Sequence, residues 1–227
     1  MQKIILFFIL MSLFASCTKV PSSIPLGKRN YILLVNGVKL GTATLDFIKE
    51  EKRYITSLEM QMDAKYVKNY SKQIITESLD FKPIKYEQYN KTQDGKNIEE
   101  TKIIADFNGT AVTLIALDKK TTFTMEKPFI IDGNFFLGEL IKNKFKNGTS
   151  IHAQLYDPSI EAEEPIPVVV KVLERKKIFV NEKEKELIHV VQAIKSHKIV
   201  DYYFDENGIA QKATISMLNN VFELVLE

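Results

Sequence analysis

The residue in this chain with the clearest covalent chemistry is its single cysteine, Cys17. Met1-Gln2-Lys3 supplies a small positive start, Ile4–Phe14 is an almost unbroken apolar run, and Ala15-Ser16 are the small residues a processing peptidase needs at its cut. At about 1.5 Å per residue that run reaches about 16 Å as a helix, half of a bilayer's hydrocarbon core. It therefore reads as the core of a signal peptide rather than as a span. The expectation is that residues 1–16 are removed and that the Cys17 thiol is the site of lipidation. The alternative is an ordinary secretory signal cut nearby, which would leave an unpaired thiol exposed in an oxidising compartment.

The other residues able to do chemistry are scattered. His152, His189 and His197 show no i, i+4 pairing on a helix, and no second cysteine exists to complete a zinc set. His189 falls in an expected strand and reads as a core or edge residue. Glu161, Glu163 and Glu164 could hold a hard cation through oxygen, but such a run is more often a solvated loop. Asp205-Glu206-Asn207-Gly208 lacks the later bidentate glutamate of a calcium loop and reads as a hairpin turn. With no G-x-S-x-G, P-loop, dinucleotide fingerprint or H-E-x-x-H, the sequence predicts no catalytic residue, no metal and no cofactor.

The tetrad Phe14-Ala15-Ser16-Cys17 resembles the bacterial lipobox. That likeness implies a diacylglycerol on the Cys17 sulfur, cleavage before it and acylation of the new amino terminus. One acyl chain binds a membrane marginally and several bind it stably, each buried CH₂ contributing about 0.8 kcal/mol. Thr18, where an aspartate would signal retention, is similar to lipoproteins sent to the outer membrane. The implied location is the bacterial envelope, lipid-anchored at the outer membrane and facing the periplasm.

Composition bounds the rest. Apolar residues at 45% and charged residues at 26% are ordinary globular values and argue against a disordered stalk. A chain of 227 residues is long enough to bury about 70% of its unfolded surface. The 31 basic and 29 acidic residues nearly balance, and no basic cluster interleaves with aromatics, so nucleic acid is not an expected partner. The sequons at Asn69, Asn90, Asn108 and Asn147 read as turn chemistry.

Residues 17–29 hold two prolines, two serines and a glycine, and are expected to form a lipidated tether ahead of a single β-rich domain over 30–227. Strands are expected at Tyr31–Val35 and Val38–Phe47 around the hairpin signal Asn36-Gly37. Others follow at Arg53–Asp63, Gln73–Asp80, Ile84–Thr92, Asn97–Phe107, Ala111–Leu117 and Thr121–Met125. Turns spaced every 8–12 residues point to antiparallel meandering. Asp132 as N-cap and Phe135, Phe136, Leu140, Ile141 and Phe145 at helical spacing predict one short helix over Gly133–Lys146. Beyond it, strands are expected at Ser150–Tyr156, Val168–Leu173, Ile178–Val180, Leu187–Ile194, Lys198–Phe204, Ala210–Met217 and Val221–Leu226. The acidic loop 157–167 is the one candidate sub-boundary.

The fold class expected is mostly β: a large curved antiparallel sheet, or open half-barrel, with one short helix against its concave face. Tyr54, Leu58, Met60 and Met62 alternate onto one side of their strand, and with Phe135, Phe136 and Leu140 would line an apolar trough. Tyr31–Gly41, Asp132–Gly148 and Val168–Ile215 resemble, in order, segments of the bacterial family domain of unknown function 3108. That resemblance implies an exported β-rich protein and brings no catalytic residues. More loosely, the architecture is similar to the lipoprotein-carrier fold of the LolA and LolB type. Two functions stay open: a non-enzymatic envelope domain with a closed core that docks a partner protein at the membrane surface, or a carrier of a lipid or other amphiphile in the trough. A hydrolase would need His152, Asp157 and Glu161 to converge.

Overall fold

The computed structural model describes residues 23–159, 164–194, 198–217 and 220–227; Cys17 and the leader lie outside them. Eight strands come first: β1 (Gly27–Val35), β2 (Val38–Lys49), β3 (Arg53–Ala64), β4 (Val67–Ser78), β5 (Pro83–Asp94), β6 (Asn97–Asn108), β7 (Ala111–Ala116) and β8 (Lys119–Thr124). Helix α1 (Phe135–Lys142) follows. The chain then makes β9 (Ser150–Leu155), β10 (Ile166–Val172), β11 (Lys176–Val180), β12 (Lys183–Ile194), β13 (Lys198–Phe204), β14 (Ala210–Met217) and β15 (Asn220–Leu226).

The sheet runs β8-β7-β6-β5-β4-β3-β2-β1-β15-β14-β13-β12-β10-β9, with β11 paired only to β12. It is two antiparallel meanders joined where β1 meets β15, Tyr31 opposite Leu226 and Val35 opposite Phe222. Most sequence neighbours pair across short turns, whereas β10 and β11 each pair with β12 instead of with one another. Asn36, at φ 50°, and Gly37, at φ 79°, make the first turn, both in the left-handed region that a two-residue hairpin turn requires. The sheet is not closed. Between β8 and β9 the gap is spanned by the segment carrying α1, which touches β9 through one parallel bridge, Ile130 to Leu155. There Ile130 N donates to Gln154 O and Tyr156 N donates to Ile130 O, each at 2.8 Å.

Two cores flank that segment. One gathers Phe136, Leu140, Ile141 and Phe145 against Val168, Val170, Val190 and Phe204. The other packs Phe129, Ile131 and Tyr156 on Ile75, Tyr86, Ala105 and Val112. Phe129 and Tyr156 meet edge to face at 5.4 Å, a favoured geometry for aromatic pairs.

Four expectations need correction. The tether expected over 17–29 is shorter, since Gly27–Arg29 already pair with Phe47–Leu45 and Ile24 is buried in the helix-side core. Strand β4 begins at Val67 rather than Gln73. Its first half is mostly polar and half-buried, and carries no alternation of hydrophobicity to announce it. The helix is also shorter than Gly133–Lys146. Lys144 and Phe145 take φ of 55° and 48°, which ends it at Lys142, and Phe145 reaches the core from beyond the last turn. Asn134, not Asp132, occupies the N-cap position, and its side chain makes no cap hydrogen bond.

Candidate functional site

Register places successive rows of side chains on the concave face of β2–β7. Residues directly opposite one another point the same way, and each row lies about 7 Å from the next. The first row is Phe47, Thr56, Ile75, Tyr86, Ala105 and Leu114. The second is Leu45, Leu58, Gln73, Gln88 and Ile103; the third is Ala43, Met60, Ser71, Asn90 and Thr101; the fourth is Gly41, Met62, Asn69, Thr92 and Glu99. The face thus grades from apolar beside α1 to polar toward the hairpin tips.

The polar part is tied together by its own side chains. Gln73 Nε2 donates to Tyr86 Oη at 3.1 Å, and Tyr86 Oη donates to Gln88 Oε1 at 2.6 Å. Gln88 Nε2 and Ser71 Oγ both donate to Asn90 Oδ1, at 3.2 and 2.7 Å, and Asn90 Nδ2 donates to Thr101 Oγ1 at 3.3 Å. Burial pushes the Tyr86 phenol up to about 12, so it stays a donor in this ladder.

Between the sheet and α1 lies a cavity of about 400 Å³. Leu45, Phe47, Leu58 and Met60 form one wall, Phe136, Leu137 and Leu140 another, and Val190, Val200, Phe204 and Ile215 a third. Of the seven residues expected to line a trough, Leu58, Met60, Phe136 and Leu140 do so. The other three do not line it, each for a geometric reason. Tyr54 lies below the cavity, stacked on Phe81 at 5.6 Å and 18°. Phe135 packs edge to face on Phe136 at 5.3 Å. Met62, two rows above Leu58, lines a shallower cavity of about 480 Å³ with Asn69 and Tyr70.

A polar cluster that the sequence did not announce anchors the helix segment to the sheet. Glu77, at the end of β4, is 0% exposed. Its Oε2 accepts from Asn134 N at 2.7 Å and from Asn134 Nδ2 at 3.1 Å, while Nδ2 also donates to Thr56 Oγ1 at 2.7 Å. Glu77 Oε1 and Asn134 Oδ1 have no hydrogen-bond partner among the described residues. Burial raises the Glu77 carboxyl to about 7; the bonds from Asn134 oppose the rise and the nearby Asp132 charge adds to it. Glycine is required at 133, because a Cβ there would sit 2.4 Å from Glu77 Oε2. Beside it Gln192 Nε2 donates to Asp132 Oδ1 at 3.3 Å and Tyr202 Oη donates to Gln192 Oε1 at 3.0 Å, so the cavity wall carries a short polar strip.

His152 and His189 do not converge. His152 is exposed and bonds Ser150 Oγ at 3.1 Å. His189 lies 2.6 Å from Asp201 Oδ1 and stacks on Tyr203 at 4.8 Å. His197, Glu161 and Glu163 lie outside the described residues, and Glu164 is exposed. Asp157 lines the cavity and accepts from Ser159. Asp205 Oδ1 caps its own turn, accepting from Asn207 N and Ile209 N at 2.9 and 3.0 Å. Among the described residues no helix is long and apolar enough to cross a membrane.

This geometry defines an open, β-barrel-like domain, and comparison with known proteins agrees. The chain is similar to a crystal structure of a β-barrel-like protein of domain of unknown function DUF1849 from Brucella abortus. The TM-score is 0.63 and the identity 14%, over 88% of this chain and 94% of that one. A DUF1089 family protein from Pseudomonas aeruginosa aligns at a TM-score of 0.40 and 10% identity, over 78% of this chain and 89% of that one. No family model matches the chain, and no curated protein matches it. The likeness is one of fold, within β-rich domains of unknown function.

Proposed function

We propose that this protein is a lipid-anchored, non-enzymatic domain of the bacterial cell envelope whose cavity binds the apolar part of an amphiphile. The observation that carries the reading is the space of about 400 Å³ between α1 and the curved sheet, within the range of about 300–1,000 Å³ for small-molecule sites. Its walls are Leu, Phe, Val and Met, and methionine adapts to flexible chains. The gradation of rows gives an amphiphile two kinds of surface: an acyl chain lies on Leu45, Leu58 and Phe136, and a polar end meets the Gln–Asn ladder. A core serving only to hold a docking surface would have no use for this space, which favours binding over the closed-core alternative. The membrane anchor rests on Cys17 and its leader, and the resemblance to an exported family rests on Tyr31–Gly41, Asp132–Gly148 and Val168–Ile215.

The test is solvent extraction and mass spectrometry of protein purified without detergent, with uptake of a fluorescent fatty acid measured in parallel. A non-covalently held amphiphile, or saturable uptake displaced by unlabelled fatty acid, is the expected result. Absence of both refutes the binding reading and leaves the anchor to be judged by lipid labelling.

A further inference from the structure

The polar cluster beneath α1 ties three parts of the chain together at one buried point. Glu77 closes β4, Thr56 belongs to β3, and Asn134 heads the segment that spans the open side of the sheet. Glu77 and Asn134 are 0% and 1% exposed. Asn134 stands at the N-cap of α1, where an asparagine side chain ordinarily accepts from an amide of the first turn. This one makes no such bond; its Nδ2 donates to Glu77 and Thr56 instead. The N-terminal end of the helix is therefore held by the sheet rather than by its own cap.

The cluster is short of donors. Neither Glu77 Oε1 nor Asn134 Oδ1 has a partner among the described residues, and no cation among them pairs with Glu77. Asp132 faces it from the helix segment and adds a like charge. Opposite it on β3 is Tyr54, whose ring stacks on Phe81 and has Lys49 Nζ 5.6 Å from its centroid. Opposite it on β5 is Pro83. A carboxylate ionised at this point would be a buried charge without an ion-pair partner, among the costliest arrangements in a protein interior. A proton on Glu77 removes that charge and gives the cluster a further donor.

From this geometry we infer that protonated Glu77 is a pH-sensitive latch on the cavity: loss of its proton releases Asn134, and the α1 segment, which carries the Phe136, Leu137 and Leu140 wall, detaches from the sheet. The ionised carboxyl then reaches water, and Asn134 becomes free to cap α1, so the helix survives its release. The apolar contacts of Phe136 and Leu140 oppose the movement, and the open form is a minority state whose population the proton sets. Burial raises the carboxyl to about 7, which brings the change near neutral pH. Opening sheds a proton, so it is suppressed in acid and becomes easier as pH rises. The effect on a ligand rests on the binding reading given above; the latch itself does not.

Hydrogen exchange of the Phe135–Lys142 amides tests this, followed in the full chain across the neutral range and corrected for the intrinsic rate. With the freed carboxyl back at 4.5, protection of these amides should fall about seventyfold between about pH 5 and about pH 8 in the wild type. Low urea should leave their exchange unchanged, as for a local opening, while it accelerates exchange in β3 and β13. Glu77→Gln should make the protection independent of pH. Asp132→Asn, which removes the like charge and keeps an acceptor for Gln192, should shrink the fall. Release of a fluorescent fatty alcohol, whose head group does not titrate, should quicken over the same range in the wild type and not in Glu77→Gln. Wild-type protection of α1 that does not change with pH, or that falls equally in Glu77→Gln, overturns the inference. So does exchange of α1 only together with the sheet, at the same urea response. The expected exchange pattern in a protein that takes up no fatty alcohol at any pH supports the latch and refutes the binding reading.

Discussion

Replacing Glu77 by glutamine should change how stability depends on pH, and the structure sets the size of the effect. The residue is fully buried, and its carboxyl is raised from 4.5 to about 7. Below pH 4.5 the folded and unfolded chains both carry the proton and the stabilising contribution is complete. As pH climbs from 4.5 to 7 the unfolded chain releases the proton while the native state retains it, so stability is lost progressively. The shift is about 2.5 pH units at about 1.4 kcal/mol each, a loss of about 3 kcal/mol that levels off above pH 7. Glutamine keeps an acceptor for Asn134 and cannot ionise, so Glu77→Gln removes this component. Urea titrations of both proteins from pH 4 to 8 would read it as stability of the variant minus that of the wild type. That difference should rise by about 3 kcal/mol across the window, whatever its starting value. A difference that stays constant with pH would mean that Glu77 ionises freely in the folded protein, and the account of its burial would be wrong.

Three further outcomes are expected, two from the geometry and one from the leader. Gly41→Ala would place a Cβ 1.9 Å from Gln61 O, against backbone rather than a side chain that can move, and should cost about 1–3 kcal/mol or more in urea unfolding. Met60→Trp, on the cavity wall, should abolish fatty-acid uptake while leaving the circular dichroism spectrum unchanged; undiminished uptake would place the ligand elsewhere. Cys17→Ala should eliminate palmitate incorporation and release the protein from membranes, and a variant that stays membrane-bound would point to another attachment.

Much of the architecture was legible because it is local. Turn residues with positive φ, such as Asn36-Gly37 and Gly95, sit where the sequence places them, and the strands between them follow. The first half of β4 was not legible, since Val67–Lys72 is mostly polar without alternation and its pairing with β3 and β5 is decided by those neighbours. Phe145 extended the expected helix because apolar spacing does not report that the backbone has already turned left-handed at Lys144. In the site, alternation along β3 found Leu58 and Met60 but could not say which row the helix covers, so Tyr54 and Met62 were included with them. Glu77 and Asn134 are 57 residues apart, and a strand-end glutamate looks like any solvated one until the tertiary fold buries it.

The meeting of β1 with β15 bears on how the molecule is assembled. Every other junction in the two meanders joins strands close in sequence, whereas this seam joins Tyr31 to Leu226. Each meander is free to zip up hairpin by hairpin, but the halves merge only once the final strand is available, and closing so large a loop is the slow, entropically costly event. A polypeptide that must thread a translocation pore unfolded gains from such an order of events. For the exported protein proposed above, the stitch that completes the sheet would be made last, after passage.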